Sequence, residues 1–309
     1  MGLLIGEFRR RKNKEKVIFL CPTNQLVNQV VEQANLKYGL KAIAFCGRQR
    51  DYLPKDKSRF LMAEAIGVTT YSSFFAIHSF FQDVDIIIMD DVHSCEDYLL
   101  ANWTIQIEGG TVVFEKIVAL LKPLLSEIDY KYLVENDYTP EMVSWCNMLP
   151  MPLLIDKLSD IQEILQEGIE SGSTNYYAYL RLAENLQECN VYISNRKVLI
   201  RPWIAPTMSF KPFSDAKQRI LMSATLGRSG ELERITGVEK ICRLPIVNDW
   251  DKKGLGRKFF TFPDLSLGVD KHGEIVRALQ NLCKKSVFLV PDSKSADSIR
   301  KFYENEMGI

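Results

Sequence analysis

Ile86-Ile87-Ile88-Met89-Asp90-Asp91-Val92-His93 is the stretch whose reading decides the fold. Its apolar residues follow one another without alternation. Such a run predicts a strand covered on both faces, as in a parallel α/β sheet. Carboxylates at the carboxyl end of a parallel strand emerge in the crevice where these sheets bind ligands. Two neighbouring acids repel each other, and a cation relieves the repulsion, most often Mg²⁺ bridging to phosphates. A strand ending in an ordinary polar turn gives the same letters, because Asp is common in turns. A second segment favours the phosphate reading. In Arg219-Ile220-Leu221-Met222-Ser223-Ala224-Thr225-Leu226, an apolar strand again delivers small hydroxyl residues at its end.

Working outward, strands are expected at 16–20, 42–46 and 86–89, and the segment 68–71 precedes another helix. Helices are expected at 1–11, 26–38 and 59–66. Leu3, Leu4 and Phe8 give the first helix an apolar stripe, and Leu26, Val30 and Ala34 do the same for the second. The alternation argues for a doubly wound parallel sheet. The basic run Arg9, Arg10, Arg11, Lys12, Lys14 and Lys16 suits a solvated helix end favoured by the dipole, with phosphate contact as the alternative. Between 99 and 205 the pattern changes to helices at 113–134, 153–169 and 176–189, followed by a hairpin pairing 191–193 with 198–200. A charged linker at 248–257 contains Gly254 and Gly256 as flexible points. Beyond it come a strand at 258–262, a helix at 271–283 and a strand at 286–290.

Four short motifs, in order and each beside an expected strand, carry a family resemblance. Asp90-Asp91-Val92-His93 resembles the DEAD/DEAH motif (Walker B) of the superfamily 2 nucleic-acid helicases, and Ser223-Ala224-Thr225 resembles their Ser-Ala-Thr motif. Cys21-Pro22-Thr23-Asn24-Gln25-Leu26 is similar to the Pro-Thr-x-x-Leu motif, and Val68-Thr69-Thr70-Tyr71 to the threonine-bearing motif before the DEAH strand. The approach Leu199-Ile200-Arg201-Pro202-Trp203 and the long insertion after the DEAH strand are most similar to the XPD/DinG-like group.

The resemblance implies an α/β, RecA-like (P-loop NTPase) fold. Residues 1–98 and 206–247 would form the first motor domain, 99–205 a mostly helical insertion, and 257–309 the start of a second RecA-like domain. ATP and Mg²⁺ would be the cofactors. Asp90 would hold the metal through its water shell, and Asp91 would orient and deprotonate the attacking water. His93 would couple the nucleotide site to the Ser-Ala-Thr segment, while Ser223 and Thr225 would link hydrolysis to domain movement. Pro22, Thr23, Thr69 and Thr70 would contact nucleic acid, single-stranded or duplex, with DNA favoured. At position 91 the family carries Glu. Asp is one methylene shorter, so its carboxylate sits about 1.5 Å back, and a shift of about 1 Å can cost on the order of 100-fold in rate.

No G-x-x-x-x-G-K-S/T phosphate loop occurs in the sequence. By the resemblance, the first helix is the one that follows this loop, and the late motifs with the arginine finger fall beyond residue 309. The expectation is therefore a fragment that hydrolyses little ATP alone and is marginally stable. A split reading frame would make the missing N-terminal part a partner. The leading reading is an incomplete ATP-dependent helicase; the alternative is a degenerate, non-catalytic nucleic-acid-binding remnant.

Composition narrows the classes. At 309 residues, 46% hydrophobic and 25% charged, the chain suits ordinary globular domains, and zero net charge advertises no global basic field. Seven cysteines without short paired spacings argue for free thiols in a reducing compartment. Some members of the XPD/DinG-like group that the chain resembles hold an iron–sulfur cluster through four cysteines ahead of the DEAH strand; only Cys21 and Cys46 stand there in this sequence, so the resemblance implies no cluster. No apolar stretch suits a signal peptide or a membrane span, and the expected location is cytoplasmic.

Overall fold

Among the described residues, nine strands organise the first of two units, Met1–Cys242 and Arg243–Ile309, in a computed structural model. Described are residues 2–136, 139–223, 230–244, 272–282, 287, 289–290 and 292–307. The strands are β1 (Val17–Cys21), β2 (Ala42–Phe45), β3 (Ile66–Thr70), β4 (Ile86–Met89), β5 (Ile105–Glu108), β6 (Cys146–Leu149), β7 (Cys189–Ser194), β8 (Lys197–Pro202) and β9 (Gln218–Leu221). Five form a parallel sheet in the order β2-β3-β1-β4-β9. Every residue of β1, β3 and β4 is buried, which is why β1 and β4 run apolar without alternation, while β3 ends in two buried threonines. β9 lies at one edge of this sheet and is only partly covered.

Helices cover the sheet. They are α1 (Gly2–Asn13), α2 (Asn24–Leu36), α3 (Pro54–Leu61), α4 (Tyr71–Phe74) and α5 (Glu96–Leu100). Within the insertion come α6 (Val112–Leu121), α7 (Glu127–Val134), α8 (Pro140–Ser144), α9 (Leu158–Gly168) and α10 (Thr174–Leu182), followed by α11 (Lys211–Ser214) and α12 (Glu231–Thr236).

The docking of α1 differs from the expected Leu3-Leu4-Phe8 stripe, since Leu4 is 57% and Phe8 59% exposed. The helix approaches the sheet by its glycines instead. A Cβ on Gly2 would meet Met222 Sδ at 2.6 Å and Ile88 Cγ2 at 2.9 Å, and one on Gly6 would meet Val17 Cγ1 at 2.9 Å. The basic run divides: Arg11, Lys12 and Lys14 are exposed as a solvated helix end requires, whereas Arg9 and Arg10 turn inward to ion pairs. Arg10 and Arg11 pair with Glu7 at 2.8 and 2.6 Å, and Arg9 pairs with Glu15 at 2.6 Å. Arg10 and Glu7 are both buried, so their pairing satisfies charges that would otherwise be costly there.

The insertion is not simply helical. It contains a second, antiparallel sheet in the order β5-β8-β7-β6. The expected hairpin is present as β7 and β8, joined across Asn195-Arg196 with Arg196 at φ 53°. Both strands alternate buried and half-buried residues, the pattern of a sheet with one covered face. The helix expected over 113–134 is interrupted at Pro123, which supplies no N–H to the preceding turn. One apolar cluster runs from Ile18, Leu20 and Met89 of the first sheet through Phe75, Trp103 and Phe213 to Val191, Ile200 and Leu165 of the insertion. The insertion therefore shares the core of the first sheet rather than hanging from it.

In the second unit, helices span His272–Leu282 and Ser293–Met307. The strand expected at 258–262 and the linker at 248–257 lie outside the described residues, as does most of 283–288. Among the described residues no helix is long and apolar enough to cross a membrane.

Candidate nucleotide site and nucleic-acid edge

Parallel strands converge their carboxyl ends on one edge, and the described candidate residues lie there. Pro22 and Thr23 follow β1, Thr69 and Thr70 end β3, Asp90 and Asp91 follow β4, and Ser223 lies just past β9. Asp90 is held by its backbone from two sides. Its N–H donates to the Leu20 carbonyl at 3.0 Å, and its carbonyl accepts the Tyr71 hydroxyl at 2.7 Å. Tyr71 is fully buried and its ring stacks on that of Tyr98. Burial pushes the Asp90 carboxyl above its usual range. The Asp91 N–H offsets part of this, and the charge of Asp91 adds to the rise.

Asp91 adopts left-handed backbone angles, φ 49° and ψ 47°, a region that Asp enters more readily than most residues. Its carboxylate accepts the Ser94 hydroxyl at 2.5 Å, and its carbonyl accepts the Ser94 N–H at 3.0 Å. The reversal brings the Val92 N–H to the Met222 carbonyl at 3.0 Å, while the Met222 N–H donates to the Met89 carbonyl at 2.8 Å. The acidic turn and the residue preceding Ser223 are thus directly hydrogen bonded. Thr225 lies outside the described residues.

His93 is half-exposed, with Nδ1 3.9 Å from Glu231 Oε1 on α12, an ion pair only when the imidazole is protonated. Beside it Arg234 grips Glu96 with two bonds of 2.5 and 2.9 Å, which holds the Glu96 carboxyl below its usual range. These contacts tie α12, downstream of Ser223, to the segment following the acidic turn. α1 runs against β9, with Gly2 beside Met222 at one end and Arg9 donating to Gln218 at the other. Its positive N-terminal pole therefore lies at the carboxyl edge.

The threonines serve the fold first. Thr69 is buried and donates to the Phe45 carbonyl at 2.7 Å. Thr70 caps α4 by accepting the Ser73 N–H at 3.2 Å, and Thr23 caps α2 by accepting the Leu26 N–H at 3.3 Å. Pro22 is buried, whereas Thr23 is exposed on the edge. The thiols of Cys21 and Cys95 are pushed up to about 12, chiefly by burial, so they remain protonated. Sequence reading missed the Tyr71 hydroxyl, although Tyr71 closes the motif carrying Thr69 and Thr70. No local pattern announces a bond to a residue nineteen positions on.

Among the described residues no group of three or more His, Cys, Asp or Glu side chains forms a metal cage, so Mg²⁺ here would rest on the acidic pair alone. Two adjacent carboxylates, one half-buried and already resisting ionisation, offer hard oxygen ligands, and water and phosphate oxygens complete such shells.

Residues 3–109 match the DEAD/DEAH box helicase family model. No curated protein matches the chain. Among solved structures, the chain is similar to "Structure of S. tokodaii Xpd4" at 15% identity, covering 71% of this chain and 50% of that one, with a TM-score of 0.36. It is similar to "Truncated XPD" at 15% identity over 77% of this chain and 90% of that one, TM-score 0.36. It is also similar to "XPD_Helicase" at 14% identity over 77% and 56%, TM-score 0.35. The chain thus spans half the length of the S. tokodaii structure. Over residues 3–109 the chain is thus similar to the DEAD/DEAH box helicase family, and that segment contributes four strands to the α/β parallel sheet. XPD helicases stand among its structural neighbours.

Proposed function

We propose that the carboxyl edge of the five-stranded sheet binds MgATP and a nucleic-acid strand, DNA favoured. In the intact motor it would couple ATP hydrolysis to translocation or strand separation. The observation that carries this reading is the direct hydrogen bond between the acidic turn and the Ser223 segment, Val92 N–H to Met222 carbonyl. Asp90, Asp91 and Ser223 are thereby neighbours, as a nucleotide site in this family requires. Asp90 is the metal-holding residue, fixed by Leu20 and Tyr71. Mg²⁺ bound there would neutralise charge on the transferring phosphate. Asp91 is the water-orienting residue, His93 and α12 sense the state of the site, and Ser223 and Thr225 pass it on. Thr23 is the candidate most open to a strand, and Pro22, Thr69 and Thr70 shape the edge around it.

One observation favours a second reading, nucleic-acid binding without turnover. The shorter Asp91 carboxylate is engaged by Ser94 at 2.5 Å, which draws it away from a water-activating role. Single-strand affinity measured by fluorescence anisotropy, with and without MgATP and across salt, tests both. Motor function predicts that MgATP changes the affinity and that Asp90→Ala abolishes the change. Salt-dependent binding indifferent to nucleotide supports the second reading. Absence of strand binding under all conditions refutes both.

A further inference from the structure

A cavity of about 390 Å³ opens where the first sheet's domain meets the insertion. One wall is the segment after β3, with Ser72 and His78; the other is formed by Asn102, Tyr177 and Arg181. Among the described residues no acidic one lines it. The Arg181 guanidinium lies 4.9 Å from the Trp103 ring centre and 5.8 Å from that of Phe210, and it donates to the Phe75 carbonyl. These contacts fix its plane without neutralising its charge. Among the described residues no carboxylate pairs with it. Burial lowers its pKa to about 10, which leaves it charged at neutral pH. A partly desolvated cation without a counter-ion is an unfinished electrostatic arrangement, and an anion in the cavity completes it.

The remaining lining narrows the anion. Tyr177 is 37% exposed and stands edge-on to His78, ring centres 6.0 Å apart, which presents aromatic surface to the cavity. The Asn102 amide N–H groups are spent on the Tyr98 and Leu99 carbonyls, which leaves its side-chain oxygen to accept. Aromatic surface, one cation and a few polar atoms suit a flat heterocycle joined to a phosphate, and the volume suits one such unit. Ser72 on the cavity wall lies two residues beyond Thr70, the residue that ends β3 at the carboxyl edge.

We propose that this cavity receives one nucleotide of a single-stranded nucleic acid, with its phosphate on Arg181 and its base against Tyr177 and His78. The inference rests on the function proposed above and extends the strand's path onto the insertion. One charge and aromatic surface, without an array of groups for base edges, predict weak sequence preference.

Anisotropy with a labelled single-stranded oligothymidine and the full chain tests this. Tyr177→Ala is expected to weaken binding about tenfold, within the range of a lost base stack, while Tyr177→Phe keeps it. Arg181→Gln is expected to weaken binding and to flatten the log–log salt slope by about 0.7, one phosphate contact on a single strand. Because Arg181 also clamps Trp103 and Phe210, its variant is accepted only with a native circular-dichroism melt. Photocrosslinking of wild type with a thiothymidine strand, mapped to cavity residues, replaces it otherwise. Wild-type binding with Tyr177→Ala affinity unchanged and crosslinks only elsewhere overturns this inference alone. A wild type that binds no strand overturns the proposed function and the inference with it. Thymidine monophosphate that binds wild type and loses affinity in Tyr177→Ala, with strand affinity unaltered, assigns the cavity to a free nucleotide and overturns the strand proposal.

Discussion

Tyr71→Phe removes one hydroxyl and leaves the ring that packs beneath the acidic turn. That hydroxyl donates to the Asp90 carbonyl at 2.7 Å from a fully buried position. Burial pushes its pKa well above the usual tyrosine value, so it is a neutral donor at any ordinary pH. Deleting a donor while its acceptor stays in place costs about 1–3 kcal/mol when the acceptor is sealed from water. Asp90 is only half-buried, and water can partly replace the hydroxyl, which puts the cost near about 1–2 kcal/mol. In a unit of this size that lowers the melting temperature by about 2–8 °C. Urea unfolding should show an earlier midpoint with an unchanged slope, because the surface exposed on unfolding is the same. The functional consequence lies at Asp90. With only the Leu20 carbonyl anchoring its backbone, its carboxylate is less well fixed, and MgATP affinity should fall as well. A Tyr71→Phe protein that melts with wild type would show that the bond does not support the turn. One that is destabilised yet binds MgATP like wild type would refute the positioning argument.

Asp90→Asn should raise stability at neutral pH and remove the Mg²⁺ response. The folded pKa of Asp90 lies above its ordinary value of 3.8, so its contribution is favourable below that value and is lost as pH rises through the raised one. In wild type, Mg²⁺ affinity should therefore strengthen with pH across that window. Thermal shifts with and without Mg²⁺ at several pH values check both, and a metal-dependent shift persisting in Asp90→Asn refutes the assignment. Glu96→Gln should loosen α12. The Glu96 pKa is depressed by Arg234, so its stabilisation is present above the ordinary carboxylate value and lost as pH falls through the depressed one. The pair is about one-third exposed, so the effect is under about 1 kcal/mol. Hydrogen exchange over residues 231–236 reads it, and unchanged protection there would contradict the role of the pair. Gly6→Val should cost about 1–3 kcal/mol by overpacking, since even a Cβ would meet Val17 Cγ1 at 2.9 Å and Ile88 Cδ1 at 3.0 Å. An unchanged melt would mean that α1 does not dock by its glycine face.

Several features were legible in the linear order because their cause is local. Residues 86–89 are apolar without a break because a central parallel strand has no solvent face, and the acids after them mark the carboxyl edge. The 191–193 and 198–200 pairing shows because a two-residue turn leaves it no alternative register. Other features depend on residues far apart in sequence. β5 and β6 are short strands whose partners lie over forty residues away, so no periodicity distinguishes them from loop or helix. Leu4 and Phe8 look like a buried stripe, yet the space beneath α1 admits only Gly2 and Gly6. Thr69 and Thr70 read as ligand contacts, but packing places their hydroxyls against Phe45 and Ser73. The sequence by itself determined the buried strands of the parallel sheet and the acidic pair, because burial and charge are written residue by residue. The tertiary structure alone decided that Tyr71 anchors Asp90, that Met222 meets Val92, and that Arg181 stands without a counter-ion among the described residues. Each of those facts is a distance between segments that the chain brings together only on folding.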